Sequence, residues 1–514
     1  MRGIVWTKKV ERWGMFEAEV KGPSEGNPFT EHQIRGVFKS ENEEICTDGF
    51  YDGDGIYRIR FMPSFTGSYS YRIQADFLSD PVEGTFEVIP AGEGNHGPVQ
   101  VADKYHFIYA DKTPYYSVGT TCYVWNHQSD ERIAETLETL KESGFNKLRF
   151  CVFPKHFDYN LGEPRSYPYE GTPMDSSVLT MDNFHEYDRA NEDNNFDLFR
   201  FNPEHFRHIE YCISKLQDLG IEADIIMMHP YDRWGFAYMT KEQDDLYWNY
   251  AAARFSAYRN VWWSAANEYD LLKAKTTEDW ERYGKILCEK DPYHHLRSIH
   301  HCINSYDHSR PWITHVSIQG NPANVDSLRS RYQKPVVMDE MGYEGNIEYT
   351  WGNSSAAEMV RRFWETVCRG GYPGHGETYL HPENILWWSH GGKLHGESWK
   401  RIKFLKKIME ETPGHGMALA ENQYGILVAA PEKECDISAD KPKSYYIYYY
   451  GIAQPARTDI RMDESAAYRV EIIDTWNMTI EDAGVHTGRI RLTLPGKQYM
   501  AVRLKRVNTE GGGI

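Results

Sequence analysis

Two short stretches of this chain place carboxylates where an apolar run ends. Residues 261–266 read Val-Trp-Trp-Ser-Ala-Ala and are followed at once by Asn267, Glu268, Tyr269 and Asp270. Residues 335–338, Pro-Val-Val-Met, are followed by Asp339, Glu340, Met341, Gly342, Tyr343 and Glu344. An apolar run that ends in polar groups is the pattern of a buried strand delivering side chains to one rim of a parallel sheet. Two carboxyl groups facing each other across such a rim can cleave an acetal. One protonates the leaving oxygen while the other attacks the anomeric carbon or activates water. At the second stretch Glu340 has two rivals: Asp339, which would turn to the other face if the period-two alternation of a strand continued, and Glu344, four residues further on.

The elements that must carry these groups follow a β-then-α rhythm from about residue 100. Strands are predicted at 114–122, 145–153, 221–228, 261–266, 296–299, 312–317, 335–338 and 385–388, with 385–388 as the eighth. Helices are predicted after Ser129-Asp130, with Ile133, Leu137 and Leu140 on one face and Gly144 as the stop, and after Asn202-Pro203, with Phe206, Ile209, Ile213 and Leu216 on one face and Gly220 as the stop. Further helical patterns fall at 243–256, 277–288, 355–369 and 398–410, and the stretch between the fifth and seventh strands carries no clear helix. Eight such units over about 310 residues predict an α/β fold, a TIM (β/α)8 barrel whose active site gathers at the C-terminal ends of the strands. Short alternating segments with close turns precede and follow it. They predict an N-terminal β-sandwich over 1–95, the catalytic barrel over 96–412 and a C-terminal β-sandwich over 413–514. Asp52-Gly-Asp-Gly reads as a tight turn between strands rather than a phosphate loop, and 510–514 as a frayed tail.

Composition excludes several classes. The 514 residues carry 57 Lys and Arg against 75 Asp and Glu, a net charge of −18, which opposes binding to nucleic acid or to an anionic membrane. No run reaches the roughly 20 apolar residues that span a bilayer, and residues 1–17 have no apolar core of a secretory signal, so a cytoplasmic location is expected. Aromatic residues make up 14% of the chain, with 15 Trp and 36 Tyr, a surplus that suits core packing and the stacking of sugar rings. The eight cysteines, including Cys435, are dispersed without a CxxC and read as reduced, buried packing residues.

The Asn267-Glu268 pair after strand four and Glu340-Met-Gly after strand seven resemble the large clan of retaining (β/α)8 glycoside hydrolases that includes family 5. The Trp13-Gly-Met-Phe-Glu opening, the Thr120-Thr-Cys-Tyr-Val-Trp125 strand end and the Met341-Gly-Tyr-Glu-Gly turn resemble a bacterial group with flanking sandwiches, several grouped only as domains of unknown function. Apiosidase-type enzymes resemble it more distantly. The resemblance implies that Glu268 is the general acid/base, Glu340 the nucleophile, and Asn267 a ligand of the sugar 2-hydroxyl. It implies that Arg149 keeps the nucleophile ionised, that His229 is the strand-three histidine, and that Trp387 or Trp388 is the strand-eight platform. At strand six, where the clan offers His-x-Tyr, this chain has Thr314-His315-Val-Ser317-Ile-Gln319, so the usual tyrosine partner of the nucleophile is missing there. Trp125 and His315 complete the expected substrate contacts. His375, Glu377, His390 and His395, in Gly-rich loops, are expected to meet sugar hydroxyls over a pocket closed by segments 155–200 and 370–397.

Those histidine-rich loops also invite a metal-dependent sugar isomerase or hydrolase, but no HExxH and no compact catalytic ligand set accompanies them. A non-catalytic carbohydrate-binding protein is the rival from another class, and the retention of both glutamates opposes it. The reading is therefore a retaining glycosidase of β-linked oligosaccharides or glycoconjugates, exo-acting, with no cofactor and no metal. Its partner is the glycoside itself, and no motif encodes an oligomeric state.

Overall fold

The computed structural model describes residues 4–5, 8–177, 180, 194–382, 386–434 and 442–507. Cys435, residue 385 and the 510–514 tail lie outside the described residues, as does part of the 155–200 insertion. Eight parallel strands form a nearly closed barrel: β1 (Gly119–Thr121), β2 (Lys147–Cys151), β3 (Glu222–Met228), β4 (Val261–Ala266), β5 (Arg297–Ser298), β6 (Val316–Gln319), β7 (Val336–Glu340) and β8 (Tyr372–His375). They pair in the order β5-β4-β3-β2-β1-β8-β7-β6. The seam between β5 and β6 is bridged just before β6, where Thr314 N–H donates to Arg297 C=O at 2.9 Å.

Helices α1 (Asp130–Ser143), α2 (Pro203–Asp218), α3 (Lys241–Phe255), α4 (Thr277–Lys290), α5 (Val325–Tyr332), α6 (Ala356–Cys368) and α7 (Ser398–Glu410) cover the barrel. Most begin where the chain supplies a side-chain acceptor for an unpaired N–H. Ser129, Asn202 and Ser355 cap α1, α2 and α6, while Thr240 and Thr276 form capping boxes with Gln243 and Asp279. Short α5 fills the stretch in which the sequence marks no helix.

Three expectations are corrected. The eighth strand is 372–375, not 385–388: Trp387–His390 is one helical turn. Tyr-Pro-Gly-His carries no apolar alternation because Gly374 passes against β7, where an added Cβ would lie 2.5 Å from Asp339 C=O. The first strand divides: Pro114–Tyr115 pairs with His106–Tyr109 in a separate hairpin sheet, and only 119–121 enter the barrel. Asp339 does not face away. The register between β6 and β7 steps from Ile318↔Met338 to Gln319↔Glu340, so Asp339 is the extra residue of a bulge, and alternation stops there.

That bulge serves a buried charged layer inside the barrel. Lys147 Nζ donates to Asp224 Oδ2 and Asp339 Oδ1, both at 2.7 Å, and Ser317 Oγ donates to Asp339 Oδ2 at 2.5 Å. Arg149 Nη1 lies 3.7 Å from Asp224 and 4.0 Å from Asp339, and donates to Ser264 Oγ at 2.8 Å. The charges of the four ionic groups cancel, as burial requires.

The barrel is flanked by sheets on both sides. Before it, a four-stranded and a five-stranded antiparallel-rich pair of sheets enclose a core in which Phe16 stacks on Phe86 and Phe38 on Phe61, each at 4.4 Å. This N-terminal β-sandwich is tied to the barrel by a buried ionic cluster. Glu210 of α2 accepts from Arg60 at 2.7 Å and Arg254 at 2.6 Å, and Arg254 also reaches Asp52 at 2.8 Å, in the turn read from Asp52-Gly-Asp-Gly. After the barrel, a six-stranded and a two-stranded sheet form the C-terminal β-sandwich, and Tyr449 stacks on Trp364 of α6 at 5.3 Å. Cys122, Cys151, Cys212 and Cys368 are buried free thiols as expected, but Cys46 is exposed and Cys288 and Cys302 are half-buried. Among the described residues no helix is long and apolar enough to cross a membrane.

Removing Lys147 strands two carboxylates in the barrel interior. Lys147→Met is expected to lower stability by about 3–5 kcal/mol, read as a fall in Tm and in urea midpoint. A loss below about 1 kcal/mol would show that the layer is not the charge balance described.

Candidate active site

At the C-terminal ends of the strands opens a cavity of about 690 Å³. Asn267 and Glu268 enter it from the end of β4 and Glu340 from the end of β7. Glu268 is held with its backbone in the left-handed region, φ 50°, a conformation that costs a non-glycine residue energy and recurs at functional sites. Its N–H points to Nδ1 of His300, 3.4 Å away, and burial keeps that imidazole neutral, as an acceptor must be.

Neutral donors hold both carboxylates. The Tyr123 hydroxyl donates to Glu340 Oε1 and lies 3.3 Å from Asn267 Oδ1. Asn267 Nδ2 donates to Glu268 Oε2 at 3.3 Å, and the Tyr231 hydroxyl donates to the same oxygen. Arg149 Nη2 donates to Asn267 Oδ1 at 2.9 Å, which orients the amide so that its NH2 faces Glu268. Burial and the neighbouring carboxylates push both phenols well above their ordinary range, so each remains a donor.

Burial, reinforced by the charge of Glu268, pushes the Glu340 carboxyl up to about 7, against the pull of Tyr123, Arg149 and Lys155. Lys155 lines the same cavity with its ammonium 3.7 Å from the ring centre of Tyr123, 4.2 Å from Tyr231 and 4.8 Å from Trp388. Burial pulls this ammonium down, while Cys151, Glu268 and Glu340 hold it up. Trp388, Trp351, Phe157 and Tyr343 add aromatic wall, Gln319 and Cys302 add polar wall, and Arg361 and Arg362 stand at the edge beside Glu358.

The structure brings only some of the expected contacts into the cavity: Glu268, Glu340, Asn267 and Trp388 line it. Arg149 lies beneath, touching the site through Asn267. His229 is buried behind Tyr231 with Nε2 against Phe153 C=O at 3.2 Å, and burial with the charge of Lys155 takes it down to about 3. The others lie elsewhere. Trp125 packs edge-on against Phe150 in the barrel–helix core, and Trp387 turns away from Trp388 to donate to Thr120 Oγ1 at 2.9 Å. His315 precedes β6 and packs against Phe107 and Trp262 on the hairpin side of the barrel. His375 stacks on Phe145 behind the wall, Glu377 accepts the N–H groups of His395 and Gly396, and His390 bonds Asn160. Each of these has a structural partner that fixes it outside the cavity.

The sequence reading missed Tyr123, Tyr231, Lys155 and His300. The tyrosine absent from strand six is supplied after strand one, inside the Thr120-Thr-Cys-Tyr-Val-Trp125 segment. Tyr231 follows His229 by two residues, a position the strand-three end offered.

A parallel eight-stranded barrel whose rim carries two carboxylates in an aromatic-walled cavity defines a glycosidase of the (β/α)8 class, and comparison with known proteins gives the same answer. Residues 101–414 match the model of the apiosidase-like catalytic domain, and the chain belongs to this family. Residues 9–76 and 434–505 match two families described only as domains of unknown function, DUF5060 and DUF5605. A solved structure from Bacteroides vulgatus, described as a putative glycoside hydrolase, is 37% identical with a TM-score of 0.87, covering 98% of this chain and 100% of that one. A glycoside hydrolase family 5 structure from the same organism is 15% identical with a TM-score of 0.57, covering 80% of this chain and 94% of that one, a likeness of fold. No curated protein matches the chain.

The raised Glu340 carboxyl sets the pH dependence. A carboxylate at Glu340 is lost to protonation below about pH 7, so kcat/KM is expected to fall about tenfold per pH unit on the acid side. A profile flat down to about pH 5 would contradict the raised carboxyl. Tyr123→Phe removes a donor that pulls the carboxyl down and is expected to move this limb upward.

Proposed function

We propose that this glycosidase is a retaining enzyme acting on β-linked oligosaccharides or glycoconjugates by double displacement. Glu340 attacks the anomeric carbon while Glu268 protonates the leaving oxygen; Glu268 then takes a proton from water as the water oxygen attacks the anomeric carbon, and the bond to Glu340 breaks to release the sugar. The observation that carries this reading is the pair of rim carboxylates lining one cavity, Glu340 held by the Tyr123 hydroxyl and Glu268 by Asn267 Nδ2 and the Tyr231 hydroxyl. Tyr123 and Arg149 favour an ionised Glu340, as a nucleophile requires. The mechanism needs the two carboxyl groups about 5–5.5 Å apart.

A cavity walled by Phe157, Trp351 and Trp388 supports action on a chain end, with the glycone stacked on indole. We assign the catalytic unit to residues 96–412 and a buttressing role to the sandwiches on either side, 1–95 and 413–514. The buried Glu210 cluster supports that role on the N-terminal side and the Trp364–Tyr449 stack on the C-terminal side.

The test is hydrolysis of a panel of aryl pyranosides and furanosides by wild type, Glu340→Gln and Glu268→Gln, with the anomer of the first product read by NMR. Wild type is expected to release one sugar with its configuration retained, and either substitution to cost on the order of 10⁴-fold in kcat. Activity surviving in both variants would remove the two-carboxylate mechanism, and an inverted product would remove double displacement.

A further inference from the structure

Outside the cavity lining, three buried side chains from β8 and from the loops after β7 and β8 come together. Glu344 and Glu377 stand opposite each other in a two-stranded parallel pair, Glu344–Gly345 beside Glu377–Thr378. Glu344 and His375 are 0% exposed and Glu377 1%. One oxygen of each carboxylate and one ring nitrogen lie within 4.8 Å of one another.

Like charges directly opposite on paired strands repel, and buried charges are ordinarily paired or bound to a metal ion. Among the described residues, the donors that meet these two carboxylates are all neutral. Glu344 accepts from the N–H groups of Glu397 at 2.9 Å and Ser398 at 3.1 Å and from the Tyr379 hydroxyl at 3.0 Å. Glu377 accepts from the N–H groups of His395 at 2.5 Å and Gly396 at 2.8 Å. These bonds leave lone pairs on both carboxylates and leave the charge uncompensated.

The third group supplies what a cation needs. Nδ1 of His375 is 2.9 Å from Thr120 Oγ1, an oxygen already fixed by Trp387 Nε1. Nε2 of His375 is buried and meets no hydrogen-bond partner. A histidine with one ring nitrogen anchored and the other unspent is oriented as metal-ligating histidines are. The chain is also shaped to the carboxylates: a Cβ on Gly396 would come within 2.5 Å of the Glu344 carboxyl.

We propose that Glu344, His375 and Glu377 bind a divalent cation of the zinc class, one imidazole and two carboxylates being a donor set such ions accept. Zn²⁺ sits about 2.0–2.2 Å from such atoms, and rotation of the flexible glutamate side chains by about 1 Å brings them to it. The ion touches neither Glu268 nor Glu340 and takes no part in bond cleavage. It clamps the loop after β7, which carries Tyr343 and Trp351 to the cavity, to the 395–398 segment that opens α7.

The test uses tag-free full-length protein and reads metal content and thermal stability, so it is independent of whether any glycoside is cleaved. Protein purified without chelator is expected to carry close to one equivalent of zinc or manganese by inductively coupled plasma mass spectrometry. Stripping with EDTA is expected to lower Tm by at least about 3 °C, and added Zn²⁺ to restore it. His375→Gln and Glu377→Gln are expected to lose the ion. Should either variant fail to fold, calorimetric titration of the stripped wild type with Zn²⁺ decides alone, one site per chain being the supporting result. No metal in the purified protein together with a Tm unmoved by Zn²⁺, Mn²⁺ or Ca²⁺ would overturn the proposal, as would full metal retention by folded His375→Gln.

Discussion

The barrel depends on a set of charges that cannot be left alone. Lys147, Arg149, Asp224 and Asp339 are each no more than 2% exposed, and any one without its partners would be an unpaired ion in a low-dielectric interior. Their mutual neutrality fixes the ends of β2, β3 and β7 relative to one another. β7 can deliver both Asp339 to this layer and Glu340 to the cavity only because one residue bulges between them. Arg149 then carries the same constraint upward: it reaches the acids with one nitrogen and Asn267 with another. The floor of the site is thus built by the charge layer beneath it.

Much of this was legible in the sequence where apolar periodicity was strong. The helices at 130–143 and 203–218 announce themselves by cap residues and spacing, and the helix at 398–410 by its pattern alone. The long strands end where Asn267, Glu268 and Glu340 begin. What was not legible has a physical reason in each case. Strand β8 is hidden because a Pro and a Gly replace the apolar alternation, while the conspicuous Leu-Trp-Trp run two turns later is one helical turn packed on β1. Asp339 was misread because a bulge is a property of two strands in register, and a single strand's pattern does not contain it. The histidines of the Gly-rich loops looked like sugar ligands because residue type reports chemistry and not direction: Nδ1 of His375 meets Thr120, and Glu377 accepts backbone N–H groups outside the cavity.

The missing strand-six tyrosine is the clearest case of function surviving a change of address. What a buried carboxylate requires is a neutral donor held at one oxygen, and any strand end whose side chain reaches that point can supply it. Here the end of β1 does so with Tyr123, and its backbone is pinned there by the N–H of Tyr123 donating to Trp388 C=O at 2.9 Å. Motif comparison at strand six therefore reports an absence that the three-dimensional site does not have. The same bond ties the aromatic wall to the donor, so Trp388 and Tyr123 are placed by one piece of backbone.

Lys155 completes the electrostatics. A cation this close to two carboxylates offsets their repulsion, but at the same point it opposes the positive charge that grows on a sugar during glycosidic cleavage. Its setting moderates that conflict. The ammonium is spread against the faces of Tyr123, Tyr231 and Trp388, whose quadrupoles stabilise it without a direct salt bridge to either acid. Tyr123 and Tyr231 are also the donors to Glu340 and Glu268, so the rings that hold the cation hold the two acids as well. Placing the charge behind rings instead of beside the carboxylates leaves the second oxygen of each acid to the cavity while still lowering the cost of burying them. The cavity is therefore organised by two tyrosines whose faces serve a cation and whose hydroxyls serve two anions.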